Sequence, residues 1–311
     1  MESPRLNPLS LHQLFALDIA PRGMVLDPII PEKGLAMLYA ARGTGKTHVA
    51  LGIACAVAGG HRFLNWHAPR PRRVLFIDGE MPAAALRDRL AAIVGSQPPP
   101  LLTVLAGDLT EGGIGNLAAP ALQAELEPHL DGVELVVLDN LASLTAAWRD
   151  DAVCWLPIQE WLLRLRRRGI SVLIVHHAGK SGDQRGTSRR EDMLDTTIGL
   201  VRPVDYKAPE GARFEVRIEK CRGVLGDEAE GFEARLDPHE GRTHWTVTSL
   251  INAQGRRVAE LANAGLSIRE IAAEAGMSKS TVHRLHRKML EAALARRRAQ
   301  AGQNGTRAGT A

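Results

Sequence analysis

Short, predominantly apolar runs recur along the first part of the chain: Leu35 to Tyr39, Val74 to Ile77, Leu135 to Leu138 and Ile170 to Val175. Runs of this length and composition predict buried strands. Helix-like stretches lie between them. Val49 to Ala58 is rich in small apolar residues and is stopped by Gly59-Gly60; Pro82 to Val94 carries proline in its first turn; Pro120 to Leu130 follows the Pro98-Pro99-Pro100 break and a further possible strand, Leu101 to Ala106. Trp155 to Arg168 is amphipathic and ends at Gly169. Four more strand patterns then come without long helices between them: Thr197–Val201, Arg213–Lys220, Phe232–Leu236 and Thr243–Val247. Alternation followed by a run of strands predicts an α/β fold, a mainly parallel sheet extended by antiparallel strands.

The ends of the chain read differently. Residues 1–33 look like an irregular lead-in with one short amphipathic segment, Leu9 to Ala16, and Trp66 to Arg73 reads as a loop. Three helices are expected near the C-terminus, Gln254 to Asn263, Ser267 to Ala275 and Lys279 to Ala292, with Gly265 and Gly276 as stops and Ser267 and Ser278 as N-caps. The expected organisation is a lead-in (1–33), an α/β domain (34–250), a small all-α domain (251–293) and a disordered basic tail (294–311).

The first α/β turn carries the chemistry. Ala40-Ala41-Arg42-Gly43-Thr44-Gly45-Lys46-Thr47, with His48 beyond it, sits between a strand pattern and a helix pattern. This is the context that makes G-x-x-x-x-G-K-[ST] a phosphate loop. Gly43 and Gly45 let backbone N–H groups turn inward, and the helix start adds its positive dipole end. Lys46 is placed to reach the β- and γ-phosphates of ATP, and the Thr47 hydroxyl to coordinate Mg²⁺. The motif's first glycine is Ala40 here, which a negative φ would tolerate.

Three segments follow at strand C-terminal ends, where such sheets place ligands. Glu80, in Asp78-Gly79-Glu80-Met81, can orient and deprotonate a water for in-line attack. Asp139 ends an apolar strand, where a carboxylate is costly unless it meets a cation such as Mg²⁺. His176 and His177 point to opposite faces of a strand, so one is expected to sense the γ-phosphate rather than both to share a metal.

The succession A-A-R-G-T-G-K-T, F-I-D-G-E-M, L-V-V-L-D-N, I-V-H-H-A-G-K and R-G-T-S, over roughly residues 10–250, resembles the RecA-like ATPases of the plasmid RepA type, ring-forming hexameric replicative helicases. The resemblance implies a homohexamer with single-stranded DNA in the ring channel. It implies Glu80 as catalytic glutamate, Asp139 as the Walker-B aspartate and His176 or His177 as sensor. It also implies a DNA-contacting loop from Ala178 to Arg190 presenting Lys180, Arg185, Arg189 and Arg190. A cation completing the neighbouring subunit's site would come from Arg185 or, preferred for the strong β pattern before it, from Lys220 and Arg222.

Charge adds a second partner. Residues 251–311 hold 11 Lys/Arg against 4 Asp/Glu, a net +7, which leaves −3 on the other 250. The phrase L-S-I-R-E-I-A-A-E-A-G-M-S-K-S-T-V-H-R resembles the helix-turn-helix of resolvase and Hin-type recombinases. That resemblance implies a third helix in the major groove of duplex DNA, presenting Lys279, Ser280, Thr281, His283 and Arg284, with Arg287 and Lys288 near phosphates. Three cysteines without C-x-x-C spacing indicate neither a disulfide framework nor a zinc site, and no apolar run is long enough to span a membrane. The expectation is a cytoplasmic, DNA-acting ATPase, a helicase or translocating motor in replication of a plasmid or mobile element; the other class is a DNA-binding regulator switched by nucleotide.

Overall fold

The computed structural model describes residues 7–145, 152–178, 192–222, 230–239, 241–287 and 289. Its centre is a nine-stranded sheet in the order β13-β12-β11-β10-β3-β9-β8-β6-β7. The strands are β3 (Leu35–Ala40), β6 (Val74–Asp78), β7 (Leu102–Ala106), β8 (Leu135–Asp139), β9 (Ser171–His177), β10 (Thr196–Val201), β11 (Arg213–Cys221), β12 (Phe232–His239) and β13 (Arg242–Ser249). From β10 to β7 every pairing is parallel; β11, β12 and β13 add on antiparallel.

Each central strand is buried on both faces, and side chains alternate between two cores. Ala36, Leu38 and Ala40 of β3 join one cluster with helix α2 (Lys46–Gly59) and Leu86 of α3 (Ala83–Val94). Leu35 and Met37 join the other, with Leu126 of α4 (Pro120–Leu126) and Trp155, Ile158, Trp161, Leu162 and Leu165 of α5 (Ala152–Arg167). This two-sided covering is why the strands read as continuous apolar runs. Helix α2 is buried nearly all round, and Gly52 within it leaves the space that the Phe63 ring occupies.

The lead-in carries a short helix, Leu11–Phe15, and no regular structure over 18–23, but beyond that it holds a hairpin. β1 (Met24–Leu26) pairs antiparallel with β2 (Ile30–Pro31), and Val25, Leu26, Ile29 and Ile30 are fully buried in the α2 core. Strands of two or three residues carry no readable period, so only packing reveals them. For the same reason the stretch read as a loop from Trp66 holds β5 (Trp66–His67), paired with β4 (Arg62–Phe63), with the Trp66 ring buried. The helix from Pro120 stops at Leu126 and tightens into a 3₁₀ turn, Glu127–Leu130, because Pro128 cannot donate to a continuing ladder. β9 runs two residues past Val175 and takes both histidines into the strand. The expected tail, 294–311, lies outside the described residues, as does most of the loop from Ala178 to Arg190.

Three helices follow β13: Leu250–Asn263, four residues longer at its start than its pattern implied; Ile268–Glu274; and residues 279–287. Ser267 closes a capping box with Glu270, and Ser278 Oγ accepts from the Thr281 N–H. Val258, Ile271, Ala272, Val282 and Leu285 form the buried centre, flanked by Leu261 and Ile268. The first of these helices lies against the antiparallel strands through Arg257, which is 7% exposed and pairs with Glu215 and Glu233.

Candidate functional site

The phosphate loop leaves β3 at Ala40 and enters α2 at Lys46. Gly43 and Gly45 hold φ of +72° and +117°, conformations that a side chain would strain, whereas Ala40 keeps the extended backbone of a strand end and tolerates its methyl. Thr44 is buried, and its hydroxyl donates to the Ala41 carbonyl at 3.0 Å. Lys46 Nζ donates to the carbonyls of Ala40 and Ala41, each at 2.9 Å. Burial pushes the Lys46 ammonium down to about 8, against the pull of Asp139 and Glu80.

β9 lies between β3 and β8, so its end stands between the phosphate loop and the acidic strand ends. Asp78 and Asp139 are register partners at the ends of β6 and β8. Asp139 is 3% exposed, and burial lifts its carboxyl to about 7, opposed by a hydrogen bond from Thr47. Burial also raises Asp78, opposed by backbone N–H groups of Met81 and Glu80.

Glu80 is exposed at the cavity rim, where the Asn140 side-chain amide donates to its Oε2 and His177 Nε2 lies 3.9 Å from the same oxygen. His176 is buried on the other side of the strand, so the cavity receives His177 alone of the two. Arg42, Gly43, Gly45, Lys46, Thr47 and His48 line the same cavity of about 610 Å³, a size that suits a small-molecule ligand. His48 is held neutral, down to about 4, by burial and by Arg89.

The donor set suits Mg²⁺. Asp139 Oδ2 is buried with no hydrogen-bond partner among the described residues, and the Thr47 hydroxyl bonds to the same carboxylate. Among the described residues no group of three or more His, Cys, Asp or Glu is placed to hold a metal ion by itself.

The family described as AAA domain matches residues 2–183, more than half of the chain. The chain belongs to that AAA domain family. Residues 256–299 match the IclR helix-turn-helix domain, a different helix-turn-helix type from the resolvase resemblance. Among solved structures, a KaiC-like protein from the hyperthermophilic archaeon Pyrococcus horikoshii OT3 aligns at a TM-score of 0.52 and 14% identity, over 73% of this chain and 99% of that one. At that identity the likeness speaks for the fold, which is RecA-like. This AAA domain is thus a RecA-fold P-loop ATPase with a C-terminal helix-turn-helix.

The remaining sequence candidates fall elsewhere. Because β11 runs antiparallel to β10, its start lies beside the phosphate loop, while Lys220 and Arg222 lie at the opposite edge from the chain's own Lys46. There Arg222 donates to the Asp192 carbonyl at 2.7 Å. Lys180, Arg185, Arg189, Arg190 and Lys288 lie outside the described residues. Lys279, Ser280, His283, Arg284 and Arg287 are exposed on the third C-terminal helix, and Thr281 is half-buried.

Sequence reasoning passed over four side chains at the cavity of this AAA domain. Asp78 and Arg89 line it directly; Asn140 lines it too and grips Glu80; and Arg202, beside it, donates to the Gly43 carbonyl at 2.9 Å. Asp78, a carboxylate closing an apolar strand just as Asp139 does, was the readable signal. Arg89 and Arg202 gave none, being single cations on a helix and in a loop.

Proposed function

We propose that this AAA domain hydrolyses ATP with Mg²⁺ and couples that cycle to DNA, as a ring-forming motor or helicase in replication of a plasmid or mobile element. The observation that carries the ATPase reading is the convergence of Lys46, Thr47, Asp139 and Glu80, from three separate strand ends, on one cavity. Lys46 binds the terminal phosphates, and Gly43 and Gly45 hold the positive φ that lets the loop turn around them. Asp139 and Thr47 would hold Mg²⁺, which would supply neutralisation of charge on the phosphate oxygens. Glu80, aimed by Asn140, orients a water and takes its proton, with His177 Nε2 lying 3.9 Å from the same carboxylate.

The set of motifs shared with RepA-type ATPases supports a ring in which Lys220 and Arg222, or Arg185, reach a neighbouring subunit. The position of Lys220 and Arg222 away from the chain's own cavity is compatible with such a contribution in trans. The exposed cations of the third C-terminal helix support binding of duplex DNA by phosphate contact.

A second reading, a nucleotide-switched DNA-binding regulator, is favoured by the docking of the helix-turn-helix onto the ATPase sheet through buried Arg257. The deciding experiment is an ATPase titration with single-stranded and duplex DNA beside a forked-duplex unwinding assay, with molecular size measured in each nucleotide state. A motor gives strong stimulation by single strands and unwinds the fork; a switch binds duplex in a nucleotide-dependent way and leaves the fork intact. Lys46→Ala is expected to abolish hydrolysis, and undiminished turnover by that variant would remove the ATPase assignment.

A further inference from the structure

Segment 202–212 joins β10 to β11 and touches both the phosphate loop and the helix-turn-helix. At its start, Arg202 holds the Gly43 carbonyl at 2.9 Å. The same guanidinium lies 4.6 Å from the centre of the Tyr206 ring, and the Tyr206 hydroxyl donates to the Gly211 carbonyl at 2.9 Å, so the segment is cross-braced. At its end, Ala212 lines the cavity and, with Phe214, occupies the space beside Gly45.

Between these ends the segment meets the C-terminal module. Asp205 Oδ2 lies 3.0 Å from Arg257 Nε and 3.2 Å from Arg213 Nη2. Arg257 belongs to the first helix of the module and Arg213 to the start of β11, where Arg213 also pairs with Glu210 and Glu233. Val204, though 66% exposed, lies beside Gly276, in the turn that leads into the third helix, where any side chain would meet its Cγ2. Arg202 and Asp205 are three residues apart, one hydrogen-bonded to the loop that takes phosphates and the other ion-paired with the arginine that docks the module.

We infer that segment 202–212 couples the phosphate loop to the helix-turn-helix, so that nucleotide occupancy sets the affinity for duplex DNA and DNA sets the affinity for nucleotide. The inference rests on the ATPase and duplex-binding parts of the proposed function. Phosphates draw the Lys46 ammonium and the N–H groups around Gly43 and Gly45 toward themselves, and the Gly43 peptide cannot turn without acting on Arg202. The braced segment passes that displacement to Asp205 and Val204, and through them to Arg257 and the Gly276 turn. Linkage requires the effect to be equal in both directions.

The test uses the full chain, Mg²⁺, a fluorescent ATP analogue with a non-hydrolysable β–γ bridge and a mixed-sequence DNA duplex. Analogue affinity is measured with and without saturating duplex, and duplex affinity with and without saturating analogue. The expected coupling is on the order of fivefold or more, the same factor in both directions. Asp205→Asn is expected to bind each ligand alone within about twofold of the parent while the coupling factor falls toward one, and Asp205→Glu to restore it. Tyr206→Leu, which removes the brace without touching Arg257, is the second variant and is expected to weaken the coupling as well. Independent binding of the two ligands by the parent chain, or full coupling in both Asp205→Asn and Tyr206→Leu, overturns the inference while leaving the proposed function standing. Failure of the parent to bind one of the ligands alone overturns that reading and the inference together.

Discussion

The side-chain amide of Asn140 donates to the carboxylate of Glu80, across the gap between the ends of β8 and β6. Asn140 is itself fixed: its Oδ1 accepts from the N–H groups of Ala142 and Ser143 at 3.0 and 3.2 Å. A flexible, exposed glutamate is thereby aimed by a rigid turn that follows the Asp139 strand.

This relationship separates two kinetic effects. Glu80→Gln is expected to lower kcat by about 10²–10⁴-fold with ATP still bound, since only the proton acceptor is lost. Asn140→Ala leaves the carboxylate but not its aim, and one hydrogen bond of about 1.4 kcal/mol corresponds to a loss of about tenfold in kcat with KM unchanged. Steady-state kinetics beside equilibrium binding of labelled ATP checks both; equal kcat in the Asn140 variant and the parent would make its contact with Glu80 incidental.

Asp139 predicts a dependence on pH. Its carboxyl is lifted by burial from 3.8 to about 7. Between those values the folded chain holds a proton that the unfolded chain has released, so the metal-free protein loses stability as pH rises through that window. Mg²⁺ requires the ionised carboxylate, so stabilisation by Mg²⁺ with ATP grows over the same rise. Thermal unfolding followed across the window, with and without Mg²⁺ and ATP, is expected to show both trends. Asp139→Asn is expected to flatten them; identical pH profiles for variant and parent would exclude Asp139 as the source.

Arg257 is the charge on which docking of the C-terminal module depends. Arg257→Met leaves Glu215 and Glu233, which are 4% and 7% exposed, with Arg217 and Arg213 as their remaining partners. Breaking a buried ion pair from one side costs about 3–5 kcal/mol. Urea unfolding is the measurement, and the triple variant with Glu215→Gln and Glu233→Gln is expected to recover part of the loss. A single-variant change within experimental error would mean that the network is solvated.

On the third C-terminal helix, Arg284→Ala is expected to weaken duplex binding and to reduce the slope of log affinity against log salt by about 1, as one phosphate contact is removed. Fluorescence anisotropy over a salt series reads the slope. An unchanged slope would move the contact away from this face.

The fold class was legible because both of its determinants are local. A parallel strand buried on two faces is apolar along its whole length, and Val74 to Ile77 and Leu135 to Leu138 could be read as such without any partner in view. The phosphate loop was legible for a related reason: its function requires small residues and a lysine at fixed spacing within one turn. β1, β2 and the β4–β5 hairpin were not legible, since strands of two or three residues gain their burial from α2 and carry no pattern of their own.

What the sequence alone determined, then, is the set of strands whose C-terminal ends lead to Lys46, Glu80, Asp139 and, within two residues, the two histidines, because an apolar run marks each buried strand without any partner in view. Strand order and register were decided only in the tertiary structure. They set Asp78 beside Asp139, turn His177 rather than His176 toward Glu80, carry Lys220 and Arg222 to the far edge, and bring Arg202 onto the phosphate loop. The physical reason is that these are pairings between residues as much as 159 apart, set by which hydrophobic faces cover one another and by where buried charges such as Arg257 find partners.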